Sequence, residues 1–299
     1  MDTLSSMRVF AAVVELGGFT AAAERLGVSR AMASKHVQHL EDHLGTRLLH
    51  RTTRKLALTE SGTAYHERCV QILGEIEEAE AGAARGTVSP RGVLRVTLPV
   101  SFSVRHMGPL IAEYMACYPE VTVDAYVSDR RVHLIEEGFD LALRVGPSPE
   151  SSLIARRLAS DRVVICASPD YLAAHGTPQH PRDLAGHNCA IYSYSAQGNE
   201  WHLSGPDGAH TVRVGGRVRA NNGDLLNQIV ASGHGVMCQP RFLVGDEIRN
   251  GRLVEILGDY QMEPVGIYAM YPSRRHLSAK VRSFVEFLAE RFAARGEWC

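Results

Sequence analysis

The feature that most constrains this 299-residue chain is the stretch between residues 19 and 55. Its first part, FTAAAERLGV, predicts a short helix with Thr20 as its N-cap and Gly27 at its end. Ser29 predicts the N-cap of a second helix, which runs to about His43. Two helices joined by a glycine-containing turn form a helix-turn-helix, whose second helix enters the DNA major groove by its N-terminal end.

Positive charge is concentrated in this part of the chain, although the whole chain carries a formal net charge of −1. Residues 1–58 contain eight Lys/Arg against five Asp/Glu, whereas residues 59–90 contain two against six. Lysine and arginine neutralise phosphates and supply most of the sequence-independent affinity for DNA. The basic run from Arg51 to Lys55, with its two threonines, predicts the tip of a two-stranded wing that contacts phosphates or the minor groove.

Residues 4 to about 73 resemble the winged helix-turn-helix of the LysR-type transcriptional regulators. The matching runs are GGFTAAAERL, VSRAMAS, LEDHLG, RLLHR and LTESG. The family usually has proline in the first turn of the recognition helix, where this chain has Arg30, Ala31 and Met32. Alanine lacks the φ restraint of proline and Arg30 adds a long bidentate donor, so the base contacts here are expected to differ from the family's.

The helix pattern and the resemblance together predict the DNA-contacting residues. Arg30, Ser34 and Lys35 are expected to contact bases or adjacent phosphates, and Ala31 a thymine methyl group. Phosphate contacts are expected to fix the register of the helix on the duplex. The predicted set is Thr20, Ser29, Arg30, Ala31, Ser34, Lys35, Arg51, Thr53 and Arg54.

A long helix is predicted to begin at Thr59, with one narrow apolar stripe and an acidic far half. Because such a stripe cannot bury itself alone, we expect the helix to pair with a copy of itself. The resemblance also implies that this is the dimerisation helix of the family. A surface helix packed on the sensor domain of the same chain is the alternative.

From residue 91 onward, strand and helix patterns alternate, which predicts βαβ units, parallel sheets and a short helix over 131–138. The runs LRVTLPVSF, FDLALRVG and RANNGD resemble the effector domain of the same family, which has the two-lobed fold of type 2 periplasmic binding proteins. Lobe one is then expected at about 91–162 and 268–299, and lobe two at about 163–267. Ligands of such folds bind in the cleft between lobes.

The predicted fold is therefore multidomain, with an all-α winged helix-turn-helix domain, a long dimerisation linker helix and a two-lobed α/β effector domain. The predicted boundaries are 1–58 for the DNA-binding domain, 59–90 for the linker helix and hinge, and 91–299 for the effector domain.

Residues at the ends of the predicted strands are the candidates for the effector cleft. Ser101 can present a hydroxyl and backbone N–H groups at a helix start, a setting that favours anions. By resemblance, Ser101, Ser128, Asn222 and Gln239 are the positions most often involved with effector. The predicted set is Ser101, Phe102, Ser128, Gly146, Asn222, Gln239 and Pro240.

Each of these assignments has a structural alternative. Ser101 and Asp224 could cap helices, Ser128 could serve a turn, and Asn222 could adopt a left-handed conformation. The arginines nearby, Arg130, Arg131 and Arg144, could pair with a carboxylate ligand or form ion pairs within the protein.

The sequence argues against several other functions. It contains no GxSxG, no GxxxxGK[ST] and no HExxH motif, so no catalytic residues, no metal and no cofactor are predicted. His36, His39 and His43 lie at helical spacing, and solvated or phosphate-facing imidazoles are expected there rather than a metal site. The six cysteines are widely spaced and expected to be free thiols, with Cys189 and Cys238 as the candidates for a redox switch.

The sequence thus predicts a DNA-binding transcriptional regulator whose promoter binding responds to a small-molecule effector. The expected partners are double-stranded promoter DNA, the effector and further copies of the chain as a homodimer or homotetramer, with RNA polymerase as an additional candidate. A cytoplasmic location without a membrane partner is expected, because neither a secretory signal nor an 18-residue apolar run occurs. The alternatives are a thiol-based redox-sensing regulator on the same scaffold and a cytoplasmic solute-binding protein.

Overall fold

A computed structural model of the protein describes residues 2–51, 56–85, 89–148, 153–195, 197–272 and 277–295. The chain divides into two compact units, Met1–Ser89 and Pro90–Cys299. In its described part the first unit comprises α1 (Thr3–Glu15), α2 (Phe19–Leu26), α3 (Arg30–Leu44), β1 (Leu49–Arg51), β2 (Leu56–Leu58) and α4 (Glu60–Arg85).

The first three helices pack around one apolar core. Phe10 and Val13 of α1 meet Val37 and Leu40 of α3, and all four side chains are fully buried. The helix α4 adds Cys69 and Leu73 to the same core. The predicted apolar stripe of α4 is therefore partly used within its own unit.

The two helix starts of the helix-turn-helix differ. Ser29 caps α3 as predicted, because its hydroxyl accepts the backbone N–H of Met32 at 3.1 Å. The prediction that Thr20 caps α2 is wrong, since the helix begins at Phe19 and Gly18 occupies the cap position. Thr20 instead lies exposed in the first turn of α2. The extended backbone of Gly18 leads the chain into the helix one residue earlier than the threonine suggested.

The LTESG motif joins the hairpin β1–β2 to α4. The Thr59 hydroxyl donates to the Arg47 carbonyl at 2.7 Å and accepts the Gly62 N–H at 2.9 Å. A side chain at residue 62 would place its Cβ 1.9 Å from the carbonyl oxygen of Leu48. Glycine is therefore required where the helix passes this backbone.

The second unit contains two five-stranded sheets with helices packed against them. Its strands are β3 (Gly92–Leu98), β4 (Val121–Val127), β5 (Leu141–Gly146), β6 (Ile154–Asp161), β7 (Val163–Ala167), β8 (Cys189–Tyr192), β9 (Glu200–Gly205), β10 (Gly208–Arg213), β11 (Arg219–Ala220), β12 (Val236–Pro240), β13 (Val254–Ile256) and β14 (Val265–Tyr271). Its helices are α5 (Val100–Phe102), a π-helical turn (Ser103–Met107), α6 (Gly108–Cys117), α7 (Pro169–His175), a 3₁₀ segment (Pro181–Gly186), α8 (Gly223–Ala231), α9 (Arg241–Arg249) and α10 (Ala279–Arg295).

The strand order defines two lobes. Lobe one has the order β4-β3-β5-β14-β6, and lobe two has β11-β8-β12-β7-β13. The predicted parallel pairing holds for β3 with β4 and β5, and for β8 with β11 and β12. Both sheets are mixed, however, because β14 runs antiparallel to β5 and β6, and β7 runs antiparallel to β12 and β13. These are the strands by which the chain passes from one lobe to the other, so they enter their sheets in the opposite direction.

The two chain segments that pass between the lobes lie side by side, because Val265 at the start of β14 pairs with Asp161 at the end of β6. Arg162 is the residue between β6 of lobe one and β7 of lobe two. Asp161, which ends β6, accepts the backbone N–H of Phe242 at 2.7 Å and so caps α9 of the other lobe. The predicted lobe boundary at residues 267 and 268 falls within β14, all of which pairs in lobe one.

The short helix predicted over 131–138 does not form. One hydrogen bond of helical spacing is present, from the Glu137 N–H to the His133 carbonyl, but Gly138 follows at φ +71° and ends it. The Glu137 carboxylate accepts the His133 N–H at 3.1 Å and pairs with Arg130 at 2.7 Å, which stabilises a turn instead.

Candidate functional site

The helix α3 presents one polar face and one buried face. Ala33, Val37 and Leu40 are fully buried on the side that packs against α1. The opposite side carries Arg30, Ala31, Ser34, Lys35 and Gln38, of which Ser34 is half-buried and the others are exposed. Four of these five were predicted from the sequence. Gln38 was missed, although it lies one turn beyond Ser34 at the spacing that keeps residues on one helix face.

Further predicted contacts lie around this face. Ser29 precedes the helix and is exposed. Arg51 ends β1, whereas Thr53 and Arg54 lie outside the described residues. His36 points the other way, because its Nδ1 lies 2.9 Å from the Ser6 hydroxyl on α1. The prediction that it faces solvent or phosphate is therefore wrong.

A cavity of about 270 Å³ lies between the two lobes of the second unit. Lobe one contributes the start of α5 and the end of β5, and lobe two contributes the ends of β8 and β12. These are the carboxyl ends of strands, which is where ligands enter folds of this kind. Phe102 and Phe242 form an edge-to-face pair in its wall, with ring centroids 5.2 Å apart.

The structure brings most of the predicted effector residues to this cavity. The predicted residues that line it are Ser101, Phe102, Gly146, Gln239 and Pro240. Ser128 and Asn222 do not line it, which corrects their assignment to the cleft surface. The Ser128 hydroxyl accepts the Arg130 N–H at 3.2 Å, and the Asn222 carboxamide caps α8 by accepting the Leu225 N–H at 2.9 Å. The alternative of a left-handed Asn222 is also wrong, because its backbone is extended.

Two residues that line the cavity each carry a buried polar atom without a hydrogen-bond partner among the described residues. These groups are the Ser101 hydroxyl and the Gln239 Nε2, whose residues are 9% and 5% exposed. The two side chains lie on either side of Gly223, because a Cβ at that residue would be 3.6 Å from Ser101 Oγ and 3.6 Å from Gln239 Oε1, the other polar atom of the same carboxamide. Buried polar groups are normally hydrogen-bonded, so this pair marks a place for a ligand atom.

Asp129 is a cavity residue that the sequence analysis missed. Its Oδ1 accepts the backbone N–H of Val100 at 3.0 Å, and Tyr192 of the other lobe lines the same cavity. Burial raises the pKa of the Asp129 carboxyl above its usual value. The available signal was its position at the end of β4, directly after Ser128.

Arginines near the cleft are paired within the protein. Arg105 binds Asp224 of α8 at 2.7 Å, which ties the lobes together and excludes the alternative that Asp224 is the helix cap. Arg144 donates to the Leu143 carbonyl at 2.9 Å and to the Thr97 hydroxyl at 3.2 Å.

A second polar cluster lies outside the cavity, at the hairpin of β9 and β10. His210 Nε2 and His180 Nε2 each lie 2.9 Å from a carboxylate oxygen of Asp207. These hydrogen bonds hold the pKa of Asp207 well below its usual range. Two histidines and a carboxylate are a ligand set that suits zinc.

The hydrogen bonds of the cluster oppose metal binding, however. His180 Nδ1 accepts the Arg182 N–H at 3.2 Å, which places the imidazole proton on Nε2, the atom that a metal would need. We therefore interpret the cluster as a hydrogen-bonded connection between the 3₁₀ segment and the hairpin. Sequence spacing gave no indication of it, because Asp207 is 27 residues from His180.

The cysteines of the described residues are free thiols, and most are buried. Burial raises the pKa of Cys69 to about 11 and those of Cys189 and Cys238 to about 12. Reactive redox cysteines have a lowered thiol pKa instead. The raised thiol pKa values of these cysteines therefore argue against the thiol-based alternative.

None of the described helices has the length and apolar composition needed to span a membrane.

Two family sequence profiles match the chain. "Bacterial regulatory helix-turn-helix protein, lysR family" matches residues 4–63, and "LysR substrate binding domain" matches residues 88–293. A curated relative, the uncharacterised HTH-type transcriptional regulator of Haemophilus influenzae, is 37% identical over 281 residues, which cover 94% of this chain and 98% of that protein. The HTH-type transcriptional regulator DmlR of Escherichia coli is 36% identical over 294 residues, which cover 98% and 95%. The solved structure of CrgA, a LysR-type transcriptional regulator from Neisseria meningitidis, is 35% identical with a TM-score of 0.61 and covers 96% of this chain and 98% of that one.

Proposed function

The chain belongs to the LysR family of transcriptional regulators, and we propose that it recognises operator DNA with the exposed face of α3. We also propose that a small molecule bound between the lobes of the effector domain changes its affinity for this DNA. The family membership makes it a DNA-binding regulator with an effector domain.

The observation that carries the DNA-binding part is the two-sided character of α3. Its capped N-terminus places Arg30 in the first turn, where recognition helices reach base edges. Ser34 and Lys35 follow one turn later on the same exposed side. We add Gln38 to the predicted set, because a glutamine carboxamide can bind adenine through two hydrogen bonds.

The experiment is DNA binding by fluorescence anisotropy across a salt series, with the DNA upstream of the protein's own gene and a scrambled duplex. We expect the wild type to bind its operator at least about a thousandfold tighter than scrambled DNA. Arg30→Ala should lose about 1–3 kcal/mol on the operator and little on scrambled DNA, as expected for a base contact. Arg54→Ala should weaken both duplexes alike and lower the salt slope by about 1, as expected for a phosphate contact.

Arg249→Ala is the matched control, because it removes the same charge from an exposed arginine that pairs with Asp246 in the effector domain. It should bind both duplexes like the wild type. Weak, salt-insensitive binding that ignores Arg30 and Arg54 would contradict the proposed interface.

The cavity supports the effector part of the proposal. Ser101 from lobe one and Gln239 from lobe two line the cavity on either side of Gly223, so a ligand that binds both joins the lobes. A ligand shifts DNA binding only if it binds the two lobe arrangements unequally. The Arg105–Asp224 ion pair across the cleft is one contact that such a rearrangement would change.

We further propose that the chain acts as a homodimer or homotetramer through α4. The helix runs from Glu60 to Arg85, and Ile72 remains 40% exposed beside the buried Leu73. Ile72→Glu should lower the sedimentation mass, whereas Val254→Glu, an equally exposed apolar residue of the effector domain, should not. An unchanged mass for Ile72→Glu would contradict this pairing.

A regulator of this kind acts on DNA in the cytoplasm, and RNA polymerase is its expected further partner. The relatives named above are transcriptional regulators, and we assign the chain no catalytic role. A cytoplasmic solute-binding protein is disfavoured, because the first unit matches the helix-turn-helix family over residues 4–63.

A further inference from the structure

We propose that the interlobe cavity selects a single-ring aromatic ligand that carries no negative charge, with a neutral or cationic hydrogen-bonding group placed among Ser101, Gln239 and Asp129. This inference rests on the proposed function, since it names the class of effector that the cavity takes.

The size and the walls of the cavity indicate a small aromatic compound. Its volume of about 270 Å³ lies just below the range of about 300–1,000 Å³ that is usual for ligand pockets. Phe102, Tyr192 and Phe242 line it together with Met262. Aromatic rings and methionine sulfur make favourable contacts with a further ring.

The polar groups that lack a protein partner are neutral. The Ser101 hydroxyl and the Gln239 carboxamide can each donate and accept a hydrogen bond. Both belong to residues that are at least nine-tenths buried, so leaving them unpaired is costly. A ligand hydroxyl, amide or amine satisfies them without bringing an anion into the cavity.

The position that would attract an anion is already occupied by the protein. Backbone N–H groups at a helix start favour negative charge, and Val100 begins α5 at this point. Its N–H is bound by the Asp129 carboxylate at 3.0 Å. The sequence predicted that the helix start at Ser101 would bind an anionic ligand. The Asp129 carboxylate of the protein itself occupies this position, so an anionic ligand is not expected there.

The charged residues that line the cavity also disfavour an anionic ligand. Asp129 and Glu263 both line the cavity, whereas no lysine, arginine or histidine among the described residues does. Of the nearby guanidinium groups, Arg105 pairs with Asp224, and Arg144 donates to the Leu143 carbonyl. Arg144 is also close enough to Asp129 to lower the pKa of that carboxyl and so to favour its charged form, but it does not line the cavity. An incoming carboxylate would lose its water and meet a like charge at short range, which opposes binding.

The test uses the full chain and three probes of nearly equal shape: phenylacetamide, 2-phenylethylamine and phenylacetate. Isothermal titration measures their affinities at pH 7. We expect the amide or the amine to bind at least about tenfold tighter than phenylacetate. Asp129→Asn keeps an acceptor for the Val100 N–H and removes the charge, so the preference over phenylacetate should fall at least about threefold.

Asp124→Asn is the matched control, because Asp124 pairs with Arg95 and does not line the cavity. It should leave the preference unchanged. If Asp129→Asn does not fold, Glu263→Gln at the exposed side of the cavity replaces it, with the same direction of change expected.

The inference is overturned if phenylacetate binds as tightly as the neutral and cationic probes, if none of the three binds at millimolar concentration, or if Asp124→Asn changes the preference as much as Asp129→Asn. The anisotropy experiment on the same preparation separates this result from the proposed function. A protein that binds its operator through Arg30 yet prefers phenylacetate retains the proposed function and refutes the selectivity. A protein that prefers the amide, but whose operator binding is unchanged by Arg30→Ala, retains the ligand selectivity and refutes the proposed DNA interface.

Discussion

Glu41 Oε1 accepts the backbone N–H of Leu48 at 3.0 Å, across the turn that joins α3 to the wing. The same oxygen accepts the N–H of Leu49 at 3.2 Å. Glu41 is only 6% exposed, although it stands in the polar second half of the recognition helix. This acid in the second half of α3 therefore fixes the start of β1, the first strand of the predicted wing.

Replacing Glu41 should loosen the wing. Glu41→Ala leaves the Leu48 and Leu49 amides without their acceptor, which should lower the local free energy of opening by about 3 kcal/mol. Hydrogen exchange measured by mass spectrometry on peptides that contain residues 48 and 49 reports this value. Asp42→Ala, at the exposed neighbouring position, should change it by less than about 0.5 kcal/mol. Equal protection in both variants would show that the Glu41 contact is dispensable.

Two glycines of α4 should respond in opposite directions to alanine. Gly62→Ala forces a Cβ against the Leu48 carbonyl and should destabilise the first unit by at least about 2 kcal/mol. Gly74→Ala meets no atom within 4 Å and should stabilise it by about 0.5–1 kcal/mol, because alanine favours helix. Urea unfolding followed by circular dichroism at 222 nm measures both. The close approach to Leu48 is refuted if Gly62→Ala is as stable as the wild type.

The thiols should differ sharply in reactivity. The pKa of Cys189 is raised to about 12 by burial, so its thiolate fraction at pH 8 is about a thousandfold below that of an ordinary cysteine. Cys117 is exposed and should alkylate first among the described cysteines. Timed iodoacetamide labelling with peptide mapping compares the two. Rapid labelling of Cys189 in the folded protein would revive the redox alternative.

Acidification should favour the folded wild type relative to Asp129→Asn. Burial raises the folded-state pKa of Asp129, so between the unfolded and the folded pKa the folded protein binds more protons than the unfolded one. The ionised carboxylate therefore costs stability at neutral pH, and this cost disappears as the pH falls through the folded pKa. In thermal unfolding of both proteins from pH 7 down to pH 4, the melting temperature of the wild type should rise relative to that of the variant. A constant difference across this range would contradict the raised pKa.

Local patterns were sufficient for the recognition helix. Ser29 caps it, the spacing of Ala33, Val37 and Leu40 defines its buried side, and Gly45 ends it at φ +66°. Capping and helix periodicity depend on residues within one or two turns, so the sequence carried them directly. The two-lobed fold and the family were likewise predicted and are confirmed by the matching profiles and structures.

Tertiary structure decided which residues contact each other at the effector cavity. Asp129 meets Val100 across 29 residues of sequence, and Arg105 meets Asp224 across 119. Neither contact follows from periodicity, because both depend on how the chain crosses between lobes and on which strand ends it brings together. The sequence by itself thus determined the recognition helix, the alternation of strands and helices in the effector domain and, through the family motifs, that the chain binds DNA. The tertiary structure decided that Ser101 and Gln239 share a cavity and that Asp129 occupies its anion position, because long-range contacts form only when distant strands are placed side by side.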